Sequence, residues 1–145
     1  MERGTRTIVV DASVAVKWFI PEADSPKAVR LRDGHIEGHL TLMAPDLLVY
    51  EVANALSSHP GLSVDEIKED LEALLMLDID LIQPTGEYVS AIAEDARRYQ
   101  VSAYDSSYLA LAEATSSTLI TADMKLHEKA RKAGLALMLD DYDNG

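Results

Sequence analysis

Five short apolar runs, each separated from the next by a stretch of helical periodicity, constrain this chain more than any other feature. They occupy residues 7–10, 40–43, 78–83, 117–121 and 135–139. Each has the length of a strand and a β-branched or alternating composition, while the segments between them repeat apolar residues at helical spacing. Strands joined through helices run parallel, and a parallel sheet built this way is covered on both faces. The expected fold is α/β, with a central, mainly parallel five-stranded sheet flanked by helices on both faces.

The helices have readable starts and stops. Ser13 is placed to cap a helix through Val14, Ala15, Trp18 and Phe19, and Ser25 with Pro26 opens one running to Gly34. Residues 46–57 put Leu48, Val52, Ala55 and Leu56 on one face. Ser63 and Glu66 form a capping box before Ile67, Leu71, Leu74 and Leu75. After residues 84–86, Tyr88, Ile92 and Ala96 face the core and leave Arg97 and Arg98 outside. Ser102 starts a helix with Tyr104, Tyr108, Leu111 and Thr115 on one stripe, and a last helix over 126–133 stops at Gly134. Stripes around Val29 and Leu71 serve either the core or a dimer.

At 145 residues, without repeat or linker, the chain reads as one domain over 1–145, ending in a polar, frayed tail over 140–145. No apolar run approaches the roughly 18 residues of a membrane span, and the N-terminus lacks a secretory pattern, so a cytoplasmic location is expected. With no cysteine there is no disulfide, thiolate nucleophile or cysteine-based zinc site. Asp and Glu outnumber Lys and Arg by 25 to 13, and the net charge of −12 repels polyanions and attracts basic partners. A nucleic-acid substrate would therefore need cations to bridge its phosphates.

Four acids stand out by position. Asp11 and Asp123 follow apolar runs, at the carboxyl ends of strands where open α/β sheets bind ligands. Glu51 and Asp105 border buried helical stripes. Plain alternatives exist: Asp105, three residues after Ser102, suits a helix's first turn, and Glu51 suits a boundary with its head in water. Were the four to converge, charges about 4 Å apart would repel by about 4 kcal/mol at an effective dielectric near 20. Such a site calls for a cation or shared protons, and all-oxygen donors select Mg²⁺ or Mn²⁺. A metal so held activates water and stabilises the leaving oxygen of a phosphodiester.

The segments VVDASVAVKWF, APDLLVYEVANAL, YDSSYLALAEA and LITADMKL carry these acids, in this order. Together they resemble the PIN-domain ribonucleases, specifically the VapC toxins of VapBC toxin–antitoxin modules. The resemblance implies a Mg²⁺- or Mn²⁺-dependent endoribonuclease in which Asp11, Glu51, Asp105 and Asp123 hold metal and activate water. It also implies a homodimer and a VapB antitoxin whose basic tail crosses the acidic site. Ser13, Asn54 and Thr121 match positions where the family carries polar groups near the metal.

Lys17, Arg97, Arg98 and Lys125 are candidates for RNA phosphate contacts, with solvated charge as the plain alternative. His35, His39, His59 and His127 show no ligand spacing and are expected in loops and on the surface. Asp140, Asp141 and Asp143 read as solvated tail, and Trp18 and Phe19 as core or dimer contacts. Two other functions compete: a receiver-like Mg²⁺-binding signalling domain, which would need a lysine after its last strand, and a PIN-type RNA-processing nuclease outside a toxin–antitoxin pair.

Overall fold

The computed structural model describes residues 6–142. Five parallel strands, β1 (Arg6–Val10), β2 (Leu40–Pro45), β3 (Asp80–Ile82), β4 (Thr118–Thr121) and β5 (Ala136–Met138), form one sheet in the order β3-β2-β1-β4-β5. Ile8, Val9 and Val10 are buried in succession, which places cover on both faces of the central strand. Chain order reverses beside β1: β2 and β3 lie to one side, β4 and β5 to the other. The crevice between the ends of β1 and β4 is thus a topological switch point. Receiver domains have the order 2-1-3-4-5, and β5 here runs into Leu139 and Asp140 rather than a lysine, so the receiver-like alternative fails.

The connections are α1 (Ala12–Ala15), α2 (Ser25–Ile36), α3 (Leu47–Ser57), α4 (Val64–Met76), α5 (Gly86–Tyr99), α6 (Ala103–Thr115) and α7 (Met124–Ala130). Helix α6 is the innermost. Seven consecutive residues from Ser106 to Ala112 are buried, because the helix contacts β1, β2 and β4 and is covered by α5. Hydrogen bonds from Ser106 Oγ to the Ile92 carbonyl (2.7 Å) and from Tyr88 Oη to the Ser107 carbonyl (2.5 Å) tie the two helices. Gly34 lets α2 approach β2 closely, since a β-carbon there would lie 3.0 Å from the Leu40 side chain and push it aside.

Several details differ from the sequence-based expectations. Asp11, not Ser13, occupies the cap position of α1, and Ser13 lies inside the helix. Tyr104, Thr115 and Leu75 are exposed, while on α5 it is Asp95 that is buried and Tyr88, Ile92 and Ala96 are half-buried. Strand β3 is half its expected length. His35 is a structural clamp: Leu42 N donates to its Nδ1 (3.0 Å), leaving Nε2 to donate to the Leu77 carbonyl (2.7 Å). The start of the expected frayed tail is anchored, with Leu139 buried, Lys27 on the Asp140 carbonyl and Arg6 donating to Tyr142 Oη at 2.6 Å. Asp143 and the two residues after it lie outside the described residues. Trp18 is core, donating to the Ala28 carbonyl at 2.8 Å.

Asp95 is 4% exposed, its Oδ2 has no partner, and its nearest cation, Arg98, stands 4.0 Å from Oδ1. Burial, then the neighbouring Glu113 carboxylate, pushes its carboxyl up to about 7. The folded state therefore holds a proton that the unfolded chain releases near pH 3.8, and stability falls as pH rises from there to about 7. Asp95→Asn is expected to raise the melting temperature at pH 8 by roughly 3 °C, about 1 kcal/mol, and to flatten the slope across that window. Thermal melts of both proteins against pH check this.

Candidate functional site

Asp11 follows β1 and stays in the ladder through its amide, which donates to the Ile120 carbonyl of β4 at 3.1 Å. Its carboxylate is 6% exposed, a costly place for a charge without hydrogen bonds. Two hydroxyls supply them: Ser13 Oγ donates to Oδ2 at 2.7 Å and Thr121 Oγ1 donates to the same oxygen at 2.8 Å. Each hydroxyl in turn accepts a backbone amide, Ala122 N at 2.9 Å on Ser13 and Asp123 N at 3.0 Å on Thr121. With both hydroxyl protons spent on Asp11, the 3.3 Å approach of Ser13 to Thr121 is a contact between acceptors. This network locks the end of β1 to the turn after β4.

That turn delivers the second acid. Asp123 caps α7, with Oδ1 accepting from Lys125 N (2.9 Å) and Leu126 N (3.3 Å). Glu51 projects from α3, and its Oε1 accepts from the buried Tyr108 hydroxyl at 2.5 Å. Asp105 sits in the first turn of α6, whose cap is Ser102. Among the described residues, Glu51 Oε2 and Asp123 Oδ2 have no protein donor.

All four acids line one open cavity of about 460 Å³, together with Ser13, Asn54, Leu47, Val16, Tyr50 and Tyr104. No lysine or arginine lines it. The electrostatics carry the mark of crowding. Burial raises Asp11 above its ordinary value against the pull of Ser13, Thr121 and the Ala12 amide, and Asp123 adds to the rise. Glu51 is raised by burial, opposed by the Tyr108 hydrogen bond and increased by Asp11 and Asp105. Asp105 is raised by burial and by the charges of Asp11 and Asp123. Tyr108, pushed far up by burial and the Asp11 charge, remains a hydrogen-bond donor at all ordinary pH.

The donor set is entirely oxygen, from carboxylates, hydroxyls and one amide, which fits a hard divalent cation and no soft one. Among the described residues no three histidine, aspartate or glutamate side chains stand close enough together to hold a metal ion directly. Four carboxylates spaced around an open cavity suit an ion that keeps several of its waters, as Mg²⁺ does.

The other residues singled out in the sequence lie elsewhere. Lys17 is held by Glu22 and by Asp24 (2.9 Å) and lines a different cavity. Arg97 and Arg98 are in the last turn of α5, Arg98 packing over the Tyr99 ring at 5.9 Å. Lys125 is exposed in the first turn of α7, next to the rim. Sequence reasoning placed Tyr108 on the apolar stripe and missed its grip on Glu51. The available signal was its spacing, one helical turn beyond Asp105.

The electrostatics and the network predict opposite effects for two substitutions. Asp105→Asn removes repulsion, and the raised carboxyl means that its stabilising effect is absent below about pH 3.8 and grows as pH rises. Thr121→Val leaves Asp11 short of a donor in a buried site and is expected to cost about 1–3 kcal/mol. Urea denaturation at pH 5 and pH 8 measures both.

Comparison with known proteins places the chain. The PIN domain family model matches residues 8–132. Ribonuclease VapC3 of Pyrobaculum aerophilum is 36% identical over 126 residues, covering 84% of this chain and 93% of that protein. A toxin–antitoxin complex from Klebsiella pneumoniae superposes with a TM-score of 0.66 at 12% identity, covering 91% of this chain and 97% of that one. VapBC2 from Rickettsia felis, bound to a DNA fragment from their promoter, gives 0.63 at 12%, covering 91% and 96%. At these identities the two structures speak to the fold alone.

Proposed function

Because this chain belongs to the PIN-domain family, we propose that it is a VapC-type endoribonuclease, the toxin of a toxin–antitoxin pair, hydrolysing RNA phosphodiester bonds with Mg²⁺ or Mn²⁺ and water. The observation that carries this reading is the meeting of Asp11, Glu51, Asp105 and Asp123 in one cavity at the switch point of the sheet. Among the described residues no histidine, cysteine or lysine lines that cavity, and Ser13, which does, spends its hydroxyl proton on Asp11 Oδ2.

Asp11, Glu51, Asp105 and Asp123 would hold the metal, with Ser13, Asn54 and Thr121 as the polar groups beside it. Bound there, a divalent ion supplies charge neutralisation for the phosphate and a lowered pKa for water. The chain's own part is positional. Ser13 and Thr121 hold Asp11 in one orientation, and Tyr108 donates to Glu51 Oε1 and so fixes the direction in which Oε2 faces the cavity. A carboxylate raised above its ordinary value is a better proton acceptor near neutral pH.

The same acidity favours a basic partner. An antitoxin with a basic tail would neutralise a cavity that no cation among the described residues lines, in keeping with the net charge of −12. A homodimeric toxin belongs to the same proposal.

Labelled single-stranded RNA should be cut by antitoxin-free protein in Mg²⁺ or Mn²⁺ and left intact with chelator. Asp11→Asn and Asp105→Asn are expected to lose at least about 100-fold, and Thr121→Val about 10- to 100-fold through misorientation of Asp11. Divalent ions should also raise the melting temperature more at pH 8 than at pH 5, since the carboxylates must shed protons to bind them. Cutting that ignores chelator, or survives in both folded acid variants, would refute the proposal.

A further inference from the structure

Two rings at the acidic cavity have no role in the chemistry above. Tyr50, immediately before Glu51 on α3, is 73% exposed, and Tyr104, immediately before Asp105 on α6, is 64% exposed. Both line the cavity. Every other aromatic side chain of the protein is buried or half-buried, so its two exposed rings stand at the same place. Among the described residues neither ring stacks on another aromatic, meets a cation or uses its hydroxyl in a hydrogen bond.

The charge balance says what such rings are for. Among the described residues an RNA approaching this cavity finds no lysine or arginine on its walls, Lys17, Arg97 and Arg98 are engaged or placed elsewhere, and Lys125 alone of the four candidates stands beside the rim. Phosphate contacts, which supply most of the affinity of ordinary nucleic-acid binders, are therefore scarce. What an RNA offers besides phosphate is the faces of its bases, and an exposed tyrosine is a stacking surface for any base that is not already stacked in a helix. Bases in a duplex cannot reach such rings; bases in a single strand or loop can.

We propose that Tyr50 and Tyr104 are a base-stacking pair on the rim of the carboxylate cavity that selects single-stranded RNA, gripping nucleotides that flank the phosphate to be cut. This inference rests on the cavity being an RNA-cleaving site. It adds the residues that recognise the unpaired bases of that substrate. The rings act on binding, and their position beside Glu51 and Asp105 sets where along the strand the cut falls.

Binding is read by fluorescence anisotropy in Mg²⁺, in an Asp11→Asn background so that no strand is cut. A short labelled single strand, the same strand with abasic positions, and a duplex are titrated. Tyr50→Ala and Tyr104→Ala should each weaken the single strand about tenfold, the change that about 1.4 kcal/mol of stacking corresponds to. Tyr→Phe at either position should bind as the parent does, and the abasic strand and duplex should bind weakly and alike to all. Both side chains are exposed, so circular dichroism should show unchanged folding.

Alanine variants that bind the single strand as tightly as the parent overturn the proposal, as does an equal loss for the abasic strand. So does a parent that binds no RNA. If the variants keep RNA but lose an arginine-rich peptide, the rings serve a protein partner and the proposal is wrong. Cleavage by the otherwise unaltered enzyme separates the two readings. Cutting that persists unchanged in Tyr→Ala proteins leaves the nuclease without the stacking pair, and ring-dependent binding without cutting leaves the stacking pair without the nuclease.

Discussion

A carboxylate buried at the centre of the sheet is the constraint on which the rest of this structure depends. Asp11 is tolerable at the end of β1 only because two hydroxyls reach it, one from α1 and one from the last residue of β4. Those hydroxyls are aimed by the amides of Ala122 and Asp123, so the charge on Asp11 and the path of the chain after β4 determine one another. The position of Asp123, and of α7 which it caps, follows. An acid at a strand end thus acts both as a joint between two strands and as a wall of the cavity.

Helix α6 makes the second link. It is buried along half its length, yet begins with an exposed tyrosine and a half-buried aspartate that reach the cavity. Its interior tyrosine, Tyr108, holds Glu51 from the side opposite the solvent. Asp11 and Glu51 are therefore oriented by side chains that belong to the core, Thr121 and Tyr108, and Asp123 by the backbone of the helix it caps. This is the arrangement expected when charge is to be kept ready for a cation.

Much of this was legible in the sequence, for definite reasons. The apolar runs of β1, β2 and β4 and the box of Ser63 and Glu66 on α4 are local signals, and local physics decides them. The four acids could be singled out because a carboxylate beside an apolar stripe or at a strand end calls for an explanation. Their meeting could not be derived from periodicity, since it depends on strand order, and there the family resemblance added what spacing lacks. The clamp of His35 and the grip of Tyr108 on Glu51 escaped notice because their partners are distant in the chain, and His35 was expected in a loop. Exposure of Tyr104 was hidden for the opposite reason, as it repeats the stripe of Tyr108 while standing one turn beyond the point where α5 and the sheet cover the helix.

The edge strands carry a consequence of their own. β3 and β5 are three residues each, whereas the strands that bear Asp11 and lead to Asp123 lie in the middle of the sheet. Thermal opening begins where few hydrogen bonds and little apolar contact must be given up. The margins can breathe, exchange their amides and accept mutation while the acid-lined centre stays closed. In such a protein, loosening at the outline leaves the geometry of the four acids intact.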